Sequence, residues 1–251
     1  MVKPILVANW KNYPSSLEEV KDLLKRLSKD SVEYKKINLF IAPPVVYLES
    51  VLNKIKNFGS LAVQDVPLMY EGTHTGELSM HILKSFGVRL SIVGHSERRT
   101  LGETNEVINH KIKNILKSGM VPLLCVGEKE KDLHGEHFEF VREQIVACLY
   151  KIKKDDVSKI IIAYEPVWTI GKKAKDAMDK NDIEQMIIFI KKILTDLYSR
   201  ETAEKIKILY GGSVEPANAA SILESGVRGF LVGHSSINAE NFYRIAKVLN
   251  N

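Results

Sequence analysis

Eight short apolar runs, each followed by a helix-patterned segment, constrain this chain more than anything else in it. They fall at 5–8, 37–42, 61–63, 90–93, 121–126, 160–163, 206–210 and 230–232. Short, largely apolar and with β-branched residues in each, they read as strands buried on both faces. The stretches between them are amphipathic. The first carries Leu17, Val20, Leu23, Leu24 and Leu27 on one stripe, with Ser15 or Ser16 placed to cap it and Glu18 or Glu19 three residues on. Further helices are predicted over 45–57, just before Gly87, up to Gly119, over 138–153, around Ile183 to Leu194, from Pro216 to Gly226, and along Phe242, Ile245 and Leu249.

Strand and helix alternating eight times in 251 residues predict an α/β fold of one domain spanning 1–251, a closed (β/α)8 barrel. A doubly wound open sheet would satisfy the same alternation. The polar residues favour the barrel: Asn9, Lys11, Gln64, His95, Glu165, Ser213 and His234 all fall at or just past the C-terminal end of a predicted strand. In a barrel that is the face where the eight loops converge and where chemistry is carried out.

Several classes of function drop out. The net charge of +5 is spread over Lys-rich surfaces with acids interspersed, and no basic block with aromatic interleaving marks a nucleic-acid partner. No apolar stretch approaches the ~20 residues of a membrane span, and the N-terminus enters a strand-like run without a signal-peptide pattern. A soluble, cytoplasmic protein is expected. Cys125 and Cys148, the two cysteines, read as buried thiols in a reducing compartment. His134 and His137 have metal-like spacing but no third ligand, and read as a solvated loop. Gly94-His95-Ser96-Glu97-Arg98 looks like a nucleophile elbow until Arg98, where that motif needs its second glycine.

The stretch from Ile160 to Gly171 has the sharpest chemistry. Pro166 biases Glu165 towards an extended conformation and removes the next ladder donor, so a carboxylate ends a rigid strand where an irregular loop begins. A single glutamate there, taken alone, reads as a solvated strand end. His95 alone could be a core histidine, and Lys11 a surface lysine.

The motifs in sequence order change those readings. Asn9-Trp10-Lys11, Ala42-Pro43-Pro44, Thr75-Gly76-Glu77, Gly94-His95-Ser96-Glu97-Arg98-Arg99, Cys125-Val126-Gly127-Glu128, Ala163-Tyr164-Glu165-Pro166-Val167-Trp168, Ile170-Gly171 and Tyr210-Gly211-Gly212-Ser213-Val214 run the length of the chain. Together they resemble the triosephosphate isomerase family. The resemblance implies interconversion of dihydroxyacetone phosphate and D-glyceraldehyde 3-phosphate through an enediolate, with no metal or organic cofactor. It assigns Glu165 as the base and His95 as a neutral electrophile, a pairing that belongs to the family and comes with the resemblance. Lys11 would offset the enediolate charge, while Asn9 and Glu97 orient Lys11 and His95.

For the phosphate, the resemblance implies backbone N–H groups at Gly171, Ser213, Gly233 and His234. It also implies a closing lid from Pro166 to about Lys175, and a homodimer in which the loop 65–77 brings Thr75 against the partner's Asn9 and Lys11. Met69 and Tyr70 at the loop tip would supply apolar surface.

Five positions depart from the family pattern. Lys172-Lys173-Ala174 replaces the usual Thr-Gly-Lys, Asn12 replaces Met, an arginine is missing after Glu128, Arg228 stands where aspartate is common, and His234 takes the place of a second glycine. A histidine at 234 keeps the N–H but carries a Cβ that penalises positive φ, and its imidazolium adds a pH-dependent charge near the phosphate. Two rival functions are a paralogue acting on another small ketose phosphate and a non-catalytic scaffold. A scaffold should have lost one of Lys11, His95 and Glu165, and all three are present.

Overall fold

The computed structural model describes residues 3–132, 134–169 and 178–250. All eight apolar runs are strands: β1 (Ile5–Asn9), β2 (Asn38–Ala42), β3 (Ser60–Val63), β4 (Val88–Val93), β5 (Val121–Val126), β6 (Ile161–Tyr164), β7 (Lys207–Tyr210) and β8 (Gly229–Val232). Every neighbouring pair is parallel, and β8 returns to pair with β1 through Ile5↔Gly229 and Val7↔Leu231. That last pairing closes the sheet and excludes the open, doubly wound alternative. The fold is the (β/α)8 TIM barrel.

Side-chain alternation along the strands splits the core into two layers. Ile5, Val7, Leu90, Ile92, Leu123, Cys125, Ile161, Ala163, Leu209 and Leu231 share one cluster, which fills the barrel. Leu6, Ala8, Leu39, Ile41, Leu124, Ile162, Ile208 and Phe230 belong to the other, packed against the helix stripes. One more step along β1, β6, β7 and β8 on the inward parity gives Asn9, Glu165, Gly211 and Gly233, at the C-terminal mouth.

The helices follow the predicted order with informative shifts. Leu17–Lys29 is capped by Ser16, whose side chain accepts from the Glu19 N–H at 3.2 Å, while Glu19 reaches back to the Ser15 N–H at 2.9 Å. Leu17 is exposed, off the buried stripe of Val20, Leu23, Leu24 and Leu27. The helix placed at 138–153 runs instead over Glu136–Cys148. Asp132 advances its start by accepting from the N–H groups of His134, Glu136 and His137, and Lys151, at φ 53–57 like Lys11, sits in the left-handed region beyond its end. Pro216 lies in a loop and starts no helix: Asn218 ties that loop together, accepting from the Glu215 N–H and donating to the Ser213 carbonyl, so the helix begins at Ala219. The predicted helix over 45–57 opens as a 3-10 turn, Val45–Tyr47, before Leu48–Ile55.

His137 corrects the reading of a solvated His134–His137 loop. It is buried, bonded through Nδ1 to Asp132 at 2.7 Å, and packed at a tilt against Phe138. Among the described residues, no helix is long and apolar enough to cross a membrane.

Barrel closure sets a steric demand at Gly229. Its φ is +141°, and a Cβ there would lie 1.8 Å from the Ile5 carbonyl oxygen. Gly229→Ala is therefore expected to cost about 3 kcal/mol or more, lowering Tm by roughly 6–12 °C in thermal unfolding. Gly226→Ala, also at positive φ but with nothing within 4 Å of the new Cβ, serves as the control and should cost about 1 kcal/mol. Equal losses in the two variants would show that closure does not depend on the close approach.

Candidate active site

Glu165 is seated by its neighbours. Its N–H donates to the Val126 carbonyl at 2.8 Å, so the ladder holds one residue past β6, and its side chain is almost fully buried. Two glycines make the room: a Cβ on Gly127 would lie 1.9 Å from the Glu165 carbonyl oxygen, and one on Gly211 2.7 Å from its Cγ. Side chains at either position would expel the carboxylate from its place. Gly211 was not singled out from sequence, although its inward parity on β7 marks it.

His95 caps the short helix Ser96–Thr100, which follows β4 directly. The Glu97 N–H donates to His95 Nδ1 at 3.2 Å. A backbone N–H can only donate, so Nδ1 carries a lone pair and the ring's proton is on Nε2. Nε2 lies 3.5 Å from Glu165 Oε1. A buried proton donor and a buried carboxylate thus face each other across a short gap.

Lys11 adopts φ +53°, in the left-handed region, held by two contacts on its backbone. Its N–H donates to Asn9 Oδ1 at 3.1 Å, and Gln64 Nε2 donates to its carbonyl at 2.7 Å. The ammonium lies 2.6 Å from Glu97 Oε1. Glu97 therefore pairs with Lys11 and not with an arginine; Arg98 is engaged with Asp65, and Arg99 bonds the Gly94 carbonyl and Asn105. Asn9 orients the Lys11 backbone, while Glu97 touches both Lys11 and His95.

Asn9, Lys11, His95, Glu165, Ser213, Gly233 and His234 all line one cavity of about 290 Å³. Gly171 lies outside the described residues, as does the rest of the proposed lid beyond Thr169. His234 opens a 3-10 turn, His234–Ile237, and is not among the residues with positive φ, so the expected backbone penalty at this position does not arise. Glu215 also lines the cavity and was missed from sequence. Its place two residues past Ser213 in the β7 loop was the available signal.

Behind the cavity, Glu128 Oε1 accepts from Tyr164 OH at 3.0 Å and from Trp168 Nε1 at 2.7 Å. Its second oxygen is buried without a partner among the described residues. Burial raises this carboxyl above its ordinary value, with the Trp168 and Tyr164 bonds acting the other way.

A closed parallel barrel with a carboxylate, an imidazole and an ammonium converging at its C-terminal mouth is the architecture of a (β/α)8-barrel enzyme with an acid–base site. Residues 4–249 match the family model for triosephosphate isomerase. The chain is similar to the triosephosphate isomerases of Dictyoglomus thermophilum (37% identical, over 98% of this chain and 100% of the relative) and Fusobacterium nucleatum subsp. nucleatum (36%, over the whole of both). That of Thermoanaerobacter sp. is 38% identical, again over the whole of both chains. The chain belongs to the triosephosphate isomerase family.

The Glu128 environment predicts a pH dependence. A carboxyl raised in the folded state contributes its full stability below the ordinary value of 4.5, and that contribution is lost as pH rises through the higher folded value. Glu128→Gln keeps an acceptor for Tyr164 and Trp168 without a charge to bury. Thermal melts should show the variant matching the parent near pH ~4 and exceeding it by about 1 kcal/mol near pH ~8. A variant less stable than the parent at the higher pH would mean that the ionised carboxylate is the favoured buried form.

Proposed function

We propose that this chain interconverts dihydroxyacetone phosphate and D-glyceraldehyde 3-phosphate, as the names of its relatives suggest. The observation that carries the reading is the buried pair of Glu165 Oε1 and His95 Nε2, 3.5 Å apart, with Nδ1 already occupied by the Glu97 N–H. Glu165 takes the proton from C1 of the ketose, and the Nε2–H of His95 donates to the substrate oxygens as negative charge forms on them. The Lys11 ammonium offsets that charge. Returning the proton to C2 gives the aldose and restores the carboxylate, so oxidation of one carbon balances reduction of its neighbour within the substrate. A cavity of about 290 Å³ has room for a three-carbon phosphate.

The phosphate is assigned to the backbone at Ser213, Gly233 and His234, with Gly171 completing the cradle. We place the working protein in the cytoplasm as a homodimer. Supporting the dimer are the exposed Leu68 and Met69 of the loop 65–77, together with Ile82 and Phe86 on and beside the helix Met80–Ser85 that follows it. Tyr70 makes a smaller apolar contribution than its position promised: its ring is half-buried, edge-on to His81 and beneath the Lys117 ammonium.

Two measurements test these assignments. In a coupled assay with each triose phosphate, Glu165→Gln should lower kcat by roughly 10³-fold or more with KM changed only a few-fold, because the amide keeps the volume but cannot accept the carbon proton. Near-parental turnover in that variant would overturn the mechanism. Light scattering after gel filtration should give twice the 28.3 kDa chain mass, with Met69→Glu shifting the population to monomer. A fully active monomeric parent would remove the interface assignment.

A further inference from the structure

Among the described residues, the mouth is short of positive charge. Lys11 lines it, but its ammonium is already paired with Glu97 at 2.6 Å. Glu165 and Glu215 line the same cavity and add two carboxylates. A substrate carrying a phosphate dianion enters against that background, and backbone N–H groups contribute only partial charges.

His234 lines the cavity as well, at the end of β8. Its side chain is exposed, and among the described residues neither ring nitrogen has a hydrogen-bond or ion-pair partner. The contrast with the other imidazole of the mouth is direct, since His95 Nδ1 is occupied and Nε2 faces Glu165. The preceding residue is close to the ammonium stem: a Cβ on Gly233 would lie 3.4 Å from Lys11 Cε. His234 therefore sits on the rim beside Lys11 with its ring uncommitted.

We infer that the His234 side chain is a specificity-determining contact for the substrate phosphate, supplying as imidazolium a positive charge in addition to that of Lys11, which Glu97 partly offsets. The inference deepens the isomerase reading and rests on it. Among the described residues, the charged and titratable groups that line the cavity with His234 are Lys11 and Tyr13 after β1, His95 after β4, Glu165 after β6 and Glu215 after β7, with Glu97 paired to Lys11. Lys172, Lys173 and Lys175 lie outside the described residues. An imidazolium binds a dianion more strongly than a neutral ring does, so through this side chain the protein should bind a dianion more tightly at about pH 5.5 than at about pH 8.

Sulfate is a suitable probe because it stays dianionic across that range, whereas phosphate changes its own charge. Isothermal titration of sulfate into the parent and into His234→Gln, at about pH 5.5 and about pH 8, isolates the ring's charge. The glutamine keeps a hydrogen-bonding side chain and also keeps every other titrating group, His95 included. The affinity gain on lowering the pH should be about fivefold greater in the parent than in the variant, and sulfate should shift the ring nitrogen resonances of His234. Equal gains in the two proteins, or unmoved His234 resonances, would overturn the inference. The titration does not depend on turnover: a parent unable to interconvert triose phosphates would remove the functional reading, while the sulfate comparison would still decide the role of His234.

Discussion

Along β6 and one residue past it, Ile161, Ala163 and Glu165 share one face, and because the sheet is closed that face can only look into the barrel. The first two are packed among the inward residues of the other strands. The third arrives where the packed layers end, so the apolar layers below exclude water from one side of a carboxylate and the loops flank the other. Asn9 on β1 and Gly233 after β8 reach the mouth by the same parity. What the loops add depends on this alternation, because they can only decorate positions that the strands have already aimed.

Two of the groups so aimed are held at some cost. A non-glycine residue in the left-handed region, as Lys11 is, gives up about 1 kcal/mol, and its conformation persists because Asn9 and Gln64 clamp its N–H and carbonyl. The strain turns the chain directly after β1 and delivers the ammonium to Glu97 across the mouth. His95 is fixed differently. As the first residue after the Gly94 turn it caps a helix with its own ring, and one bond from Glu97 both satisfies the helix end and chooses the tautomer. Glu97 thus acts on two partners by two different atoms, its main-chain N–H on His95 and its carboxylate on Lys11.

The strands were legible because a doubly buried strand leaves an apolar run that few other elements can produce, and all eight runs appear as strands with ends shifted by a residue or two. The candidate site residues were legible as types at strand ends and through the family motifs. Their mutual contacts were not. Lys11 and Glu97 are 86 residues apart, and only the closed barrel brings them together. Short elements also escaped: Ser96–Thr100 has too few turns to show a period, and Pro216 signals a helix start that the Asn218 bonds delay. His137 misled because the sequence shows a polar cluster but not Asp132 turning back to bond its ring. Glu215 carries no periodic signal, and its place on the rim follows from the course of the β7 loop.

The segment after Glu165 has consequences for how that carboxylate is held. Glu165 donates its N–H to Val126, and two residues later the Val167 N–H donates to the Glu128 carbonyl at 2.9 Å, so the chain leaves the barrel still bonded to the end of β5. Thr169 then closes a 3-10 turn on the Pro166 carbonyl through both its N–H and its hydroxyl. The Trp168 indole is fastened to the same Glu128 oxygen that holds Tyr164, the last residue of β6. Every residue from Tyr164 to Thr169 is therefore bonded either to the β5 end or within the turn. A rearrangement beyond Thr169 would have to break this set before it displaced the carboxylate. The position of Glu165 against His95 is thus held by the end of β5 together with the turn that follows β6.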